Sequence, residues 1–371
     1  MTERVESAGG VGSDRVVPAV GTVLAGLALV GLLSPVTRSG VDALAVFAAA
    51  GLAAAAVGAF VLRRHGAIGK RPAGIVAAAA SLGALLLAGY ALNRGLVGPV
   101  GFGPVSVPTV VVAVLAAGGA LALGVAEAVG LGDREVLTRT RLAMGLGVVG
   151  AVGLLAAYAA TFVVAVPAIV VLGTFSQTEE IVLSQLGMAV GTGAVAVAYL
   201  RLTDRPLSFL DVRVPSLRDV GWTVGGLVAL VAVLLAISAL MSAVGAEQST
   251  HSTAEAAAEN PEILLVLIPA AVLVIGPFEE LLYRNVIQKS LYGEFSRAGS
   301  VVVGSVLFAV VHVISYNTAT VGAVIASLAV VFGLSIVLGA LYERTENLVV
   351  PALVHGLYNA IVFANLYVTY A

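Results

Sequence analysis

The residues of this sequence best suited to chemistry lie in its last third: Glu279, Glu280, Arg284, His312, His355 and Asn359. Each falls inside or at the end of a strongly apolar stretch. A charge at mid-membrane costs about 2.5–3.5 kcal/mol by insertion scales, so ionisable groups kept at such positions are functional candidates. Glu280 and Arg284 are one helical turn apart and can pair, while Glu279 projects about 100° away from Glu280. Phe308 and His312 repeat the one-turn spacing, as do His355 and Asn359, with Pro351 placed to help start their helix. Three helices would therefore each offer a pair of side chains to a common interior. Peptide hydrolysis asks for an activated water, a stabilised oxyanion and a proton for the leaving amine. Glu279 with His312 can deprotonate a water, and His355 with Asn359 can aim two donors at one oxygen. Arg284 neutralises Glu280, which leaves Glu279 as the unpaired charge. Glu, Glu, His and His could also ligate zinc, although Asn is a poor zinc ligand. A metal-free glutamate mechanism is favoured, with zinc the open alternative.

Taken singly, every piece has an ordinary explanation. A Glu-Glu-x-x-x-Arg is common on soluble amphipathic helices, a lone His on an apolar face is usually a satisfied core residue, and Asn one turn after His can be interhelical glue. Their order inside consecutive apolar stretches makes the joint coincidence improbable. Cysteine is absent, which removes a thiol nucleophile and Cys-ligated metals. No Ser neighbours a motif His, so a covalent route has little support. None of the four histidines is followed by Glu, so the zinc signature His-Glu-x-x-His is missing. Gly-x-Ser-Gly is missing too. Gly130-Leu131-Gly132-Asp133 matches the Gly-x-Gly-Asp of presenilin-like aspartyl proteases, but the only intramembrane partner would be Asp42, and the match reads as accidental.

The series Glu279–Arg284, Phe308–His312 and His355–Asn359 resembles the motif series of the CAAX prenyl protease and bacteriocin-processing (CPBP) intramembrane proteases, which are type II CAAX endopeptidase-like. The resemblance is specific over about 262–362 and says nothing firm about 1–180. It implies an all-α fold, an endopeptidase acting on a membrane-associated peptide or protein near the cytoplasmic side, and the same residue roles with Glu280 secondary. Membrane lipid is an implied partner, and nucleic acid is not. Two other classes use similar residues: a proton-coupled transporter with a Glu/His relay, and a non-catalytic membrane scaffold of the same fold.

The elements that must position these residues are membrane helices. Of the 371 residues 60 % are apolar and 11 % charged, mean hydropathy is +1.06 and formal net charge is −2. Soluble domains carry roughly 25 % charged residues, so the composition excludes one, along with a nucleic-acid binder. A bilayer core takes about 20 helical residues to cross, and eleven stretches qualify: 16–34, 41–62, 75–93, 105–130, 142–172, 181–200, 220–244, 262–283, 300–316, 319–341 and 348–370. The fifth is long, and Pro167 is expected to kink or end it. Pro277 should loosen the eighth by removing a bond to the carbonyl of Leu273, opening a path for water to Glu279. Asp42 reads as a first-turn residue, and Glu127 as a snorkelling one. Acidic Glu3, Glu6 and Asp14 argue against a cleaved signal peptide. The expected division is an accessory transmembrane unit at 1–180 and a protease unit at 181–371.

Cytoplasmic loops collect Lys and Arg. With the N-terminus inside, strict alternation of eleven spans puts only Arg38 and Arg94, of 19 basic residues, in outer segments. The loop at 245–261 holds Glu247, Glu255 and Glu259 and no basic residue. The chain is therefore expected in the cell membrane with a cytoplasmic N-terminus. A cysteine-accessibility scan should label 63–74 and 245–261 from opposite sides; labelling from the same side would overturn the topology.

Overall fold

The computed structural model describes residues 14–40, 43–102, 105–316 and 319–371. The chain folds as α helices, and the only strands among the described residues are an antiparallel hairpin, β1 (Pro99–Phe102) with β2 (Val105–Pro108), in which Val100 faces Val107. Among the described residues, ten helices are long and apolar enough to cross a membrane. The chain is thus an integral membrane protein built as a polytopic helical bundle. It divides into two compact units, Met1–Thr140 with Thr320–Ile325, and Arg141–Ala319 with Ala326–Ala371. The fifth apolar stretch, from Arg141 onward, groups with the residues that follow it. Asp42 lies outside the described residues.

The first unit contains α1 (Val16–Ser39), α2 (Leu44–Arg64), α3 (Lys70–Asn93) and α4 (Thr109–Val129). Its core is mostly alanine, including Ala49, Ala53, Ala84, Ala88, Ala113 and Ala117. Small side chains let helix backbones approach closely in a membrane, where packing rather than hydrophobic transfer holds helices together. Several of its carboxylates are bonded to neighbours. Glu127 is buried and receives Arg63 Nε at 2.9 Å, so it is held by a partner helix and does not snorkel. Asp133 begins the next helix, and its two carboxylate oxygens accept the first amides of α1, Val16 N–H at 3.0 Å and Val17 N–H at 3.1 Å. That bond supplies the negative group favoured at a helix N-terminus and gives Asp133 a plain structural role.

The second unit takes α5 (Asp133–Leu172) from Arg141 onward, α6 (Gln177–Leu202), α7 (Leu217–Val244), the short α8 (Ser252–Glu259), α9 (Ile263–Leu291), α10 (Arg297–Val311), α11 (Val321–Thr345) from Ala326, and α12 (Val349–Tyr370). Helix α5 runs 40 residues through Pro167 without ending there. Capping boxes at Ser176 and Ser216 start α6 and α7. The ninth expected span is shorter than expected: α10 has 15 residues, about 22 Å at 1.5 Å per residue against a hydrocarbon core of about 30 Å. Ser296 caps its start by accepting Gly299 N–H at 3.1 Å, and the chain leaves the helix at His312. Arg297 at the start of α10 and Glu346 just after α11 meet at 3.6 Å, so this pair of helices begins and ends at one level.

Helix α9 is irregular where the chemistry would be. Its turns widen to π geometry at Ala271–Ile275 and again at Leu281–Gln288, with an α-helical Gly276–Glu280 between them. The loosening expected at Pro277 takes the form of the first widened stretch, and such insertions recur at functional sites. Helix α12 crosses α9 at this point with glycine on both sides. A Cβ on Gly276 would stand 2.4 Å from the Ala352 carbonyl oxygen, and one on Gly356 would stand 2.6 Å from that of Ala271. Backbone meets backbone, which carries Glu280 and His355 into hydrogen-bonding range. Gly356→Val should therefore cost about 1–3 kcal/mol or more by overpacking, read as a lower Tm or lost folded yield in detergent. Gly221→Ala on α7, where a Cβ meets nothing within 4 Å, should leave both unchanged.

Candidate active site

At the centre of the second unit lies a buried chain of charged contacts. Arg284 Nε donates to Glu280 Oε2 at 2.8 Å, and neither side chain has any exposure. Arg284 Nη2 donates to Ser335 Oγ on α11 at 2.9 Å, and its guanidinium stacks 5.1 Å from the Phe308 ring centroid. The second oxygen of Glu280 accepts His355 Nδ1–H at 3.0 Å. The carboxylate is thus fully occupied between two helices, as a buried charge must be if it is to stay ionised.

Glu279 is placed differently. Its Oε2 lies 3.9 Å from His312 Nε2 and 3.9 Å from His355 Nε2, and makes no hydrogen bond to any described residue. Its side chain is 20 % exposed and that of His312 19 %, against 9 % for His355. His312 Nδ1 donates to the Phe308 carbonyl at 2.7 Å, which fixes the tautomer and turns the Nε2 lone pair toward Glu279. Because His355 Nδ1 is committed to Glu280, its Nε2 too is the atom left facing Glu279. Phe308 spaces the two imidazoles, with ring centroids 4.4 Å from His312 and 5.9 Å from His355, and Tyr283 meets the same ring edge-on at 5.0 Å. One carboxylate oxygen, itself closed off from bulk solvent, and two imidazole nitrogens therefore converge at separations that a single water can bridge.

Asn359 follows His355 by one turn on α12; it is half-buried, and no described residue hydrogen-bonds its side chain. The structure thus brings Glu279, Glu280, Arg284, His312 and His355 together, and leaves Asn359 adjacent with its amide uncommitted. Helix geometry explains how α9 and α10 align. From Glu279 to Leu291 and back from Arg297 to His312 the two legs have similar length, so a hairpin with a short turn returns His312 to the level of Glu279. Sequence reasoning missed Ser335, Gly276 and Gly356. Ser335 carries no distinguishing signal, whereas glycine beside Pro277 and directly after His355 is the small-residue pairing typical of close membrane crossings.

The far end of α9 is anchored separately. Lys289 Nζ donates to Asp211 Oδ1 at 2.7 Å, Tyr342 OH donates to Asp211 Oδ2 at 2.6 Å, and Asn285 Nδ2 donates to Tyr342 OH at 2.8 Å. These bonds hold the segment after α6 against α9 and α11.

No group of three or more His, Asp or Glu among the described residues is disposed to hold a metal ion. Glu280 in particular is spent on Arg284 and His355. Arg284→Ala should strand Glu280 as an unpaired buried charge and cost about 3–5 kcal/mol. The measurement is folded yield and Tm, with the double change Glu280→Gln, Arg284→Met recovering a good part of both.

Residues 261–361 match the family model described as type II CAAX prenyl endopeptidase Rce1-like, about a quarter of the chain. The matched segment runs from the start of α9 into α12 and holds all six residues named above. No curated protein matches the chain, and no solved structure does.

Proposed function

We propose that this chain, whose residues 261–361 match the family model described as type II CAAX prenyl endopeptidase Rce1-like, hydrolyses a peptide bond of a membrane-associated substrate with a water activated by Glu279. The observation that carries this reading is the convergence of His312 Nε2 and His355 Nε2 on one unpartnered oxygen of Glu279, each at 3.9 Å. Water placed among these three atoms loses a proton to Glu279, and the resulting hydroxide adds to the substrate carbonyl carbon. His312, with its lone pair on Nε2, holds that water and shares the proton. Negative charge then grows on the carbonyl oxygen, where His355, protonated on Nε2 and backed by Glu280, donates together with the Asn359 amide. The C–N bond breaks as the proton taken from water passes to the leaving nitrogen, and Glu279 returns to its carboxylate form. Arg284 keeps Glu280 ionised, so Glu280 can orient His355. No metal enters this scheme.

We further place the protein in the cell membrane, with its N-terminus and the opening of the site on the cytoplasmic side. The basic-residue distribution supports this orientation. His355 lies six residues from the Val349 end of α12, about 9 Å along the axis, which suits access from that end.

Cleavage of a membrane-associated reporter peptide by the purified chain tests the assignment. Glu279→Gln keeps shape but removes the base and should slow cleavage about 10²–10⁴-fold, and Asn359→Ala should cost about 10²–10³-fold. Both proteins should melt as the parent does. Unimpaired cleavage by Glu279→Gln would reject the assignment. Loss of cleavage on chelation, restored by added zinc, would reject the metal-free scheme. Proton-coupled uptake abolished by Glu279→Gln, with no cleavage by the parent protein, would instead make the chain a transporter.

A further inference from the structure

A cavity of about 130 Å³ opens where α9 and α11 end and α10 begins, lined by Asp211, Lys289, Tyr292, Arg297, Tyr342 and Glu346. A single water needs about 10–15 Å³ of such space, so the cavity takes a group of several heavy atoms. All six residues belong to the second unit. Lys289 lies ten residues past Glu279 on α9, about 15 Å along the axis, so this is not the hydrolytic centre. The orientation proposed above puts the cavity at the cytoplasmic interface, the depth at which lipid headgroups lie.

The deeper groups of the cavity are largely committed to one another. Asp211 accepts Lys289 Nζ–H at 2.7 Å on one oxygen and Tyr342 O–H at 2.6 Å on the other, so its charge is balanced. Lys289 also donates to the Phe209 carbonyl at 2.7 Å, which uses two of its three donors. The Tyr292 hydroxyl accepts Gln288 Nε2–H at 3.0 Å and donates its own proton to no described residue. At the rim the groups are held loosely. The Arg297 guanidinium lies over the Tyr292 ring, 4.0 Å from its centroid. Its Nη1 stands 3.6 Å from Glu346 Oε1, longer than a hydrogen bond, and the two side chains are 52 % and 68 % exposed. Glu346 also holds φ +45°, the left-handed conformation in which glycine commonly follows a helix. A carboxylate is thus kept where the backbone favours having no side chain.

We propose that this cavity binds a group carrying both a phosphate and an ammonium charge, of the kind that ethanolamine phosphate presents. Arg297, the third Lys289 donor and the Tyr292 hydroxyl take the phosphate, and Glu346 takes the ammonium. Charge complementarity selects this ligand. Lys289 and Asp211 cancel, so the charge at the mouth comes from Arg297 and Glu346, one of each sign side by side. A simple anion would gain Arg297 and be repelled by Glu346, and a simple cation would meet the reverse. A ligand with both charges satisfies the two residues together and gives each a closer partner than it has at 3.6 Å. Pockets between membrane helices at the cytoplasmic interface are a recurring place for headgroup phosphates, and arginine suits a phosphate by its planar fork of donors. Neither Glu279 nor the histidines take part, so the inference is independent of the hydrolase reading.

The test uses the full chain, stripped of lipid in a neutral detergent, and reads the rise in Tm as each ligand is added. Short-chain phosphatidylethanolamine should raise Tm and saturate. Phosphatidylcholine, whose quaternary nitrogen has no N–H for Glu346, should bind about tenfold more weakly, as should anionic phosphatidylglycerol and inorganic phosphate. Arg297→Gln should weaken phosphatidylethanolamine by a similar factor. Glu346→Gly separates binding from folding. Glycine relieves the left-handed backbone, so the lipid-free variant should melt no lower than the parent, while the preference for phosphatidylethanolamine over the other lipids disappears. The proposal is overturned if the parent takes phosphatidylglycerol or inorganic phosphate as tightly as phosphatidylethanolamine. It is equally overturned if the preference survives Glu346→Gly, or if no ligand raises Tm. Soluble phosphoethanolamine identifies the source. Saturation by it at the concentrations the lipid requires makes the occupant a free molecule, and saturation by the lipid alone makes it a bilayer headgroup; either result sustains the site.

Discussion

The second unit depends on one constraint: a carboxylate with no exposure, Glu280, has to be satisfied inside a membrane protein. Desolvating a carboxylate costs several kcal/mol even after relaxation, and only close, well-aligned donors offset it. Arg284 supplies one donor from the same helix, and His355 supplies the other from α12. Arg284 then has donors of its own to satisfy, and Ser335 draws α11 into the arrangement. Three helices are thus tied at one depth by a single buried charge. The face of Phe308 against the guanidinium fixes α10 beside them. With those four elements in place, His312 and His355 have little choice but to turn Nε2 toward Glu279.

Such a tie needs α9 and α12 to approach more closely than ordinary side chains permit. Glycine at 276 and 356 removes the obstruction, and the widened turns on either side of Gly276–Glu280 let α9 depart from regular geometry without losing its backbone bonds. A regular helix would set Glu279 and Glu280 at a fixed 100° or so and keep their neighbours in strict register. The π stretches loosen that register at both ends of the five-residue segment, so one glutamate can point at Arg284 and the other at the histidines. The irregularity is local: α11 and α12 remain α-helical over 25 and 22 residues.

Much of this was legible in the sequence because charge in an apolar stretch is a strong signal. Spacing alone paired Glu280 with Arg284 and separated Glu279 from both, and the helix positions followed from apolar length. Three things were not legible. The end of α10 at His312 is set by a side-chain bond to the Phe308 carbonyl, which hydropathy does not register, so the ninth span was read through to 316. Pro167 is tolerated inside α5, since in a membrane protein neighbouring groups can compensate for one missing backbone bond. Glu127 was misjudged for a related reason, because its partner Arg63 is distant in sequence.

The same structure shows how a structural charge differs from a chemically available one, and the difference is not burial. Glu127, Asp133, Asp211 and Glu280 all have oxygens engaged at ordinary hydrogen-bond distance by a donor from another helix or segment. Each holds two parts of the chain together, and removing it would be felt first as lost stability. Glu279 contributes no such bond. Its neighbours are nitrogen atoms at 3.9 Å, too far for direct hydrogen bonds and near enough to share a water. A carboxylate in a membrane helix that is kept at this cost, and then left beside two oriented imidazoles, makes no hydrogen bond to a described residue in the resting protein. The stabilisation forgone there is available for a bond that forms only during reaction, which is what a general base requires.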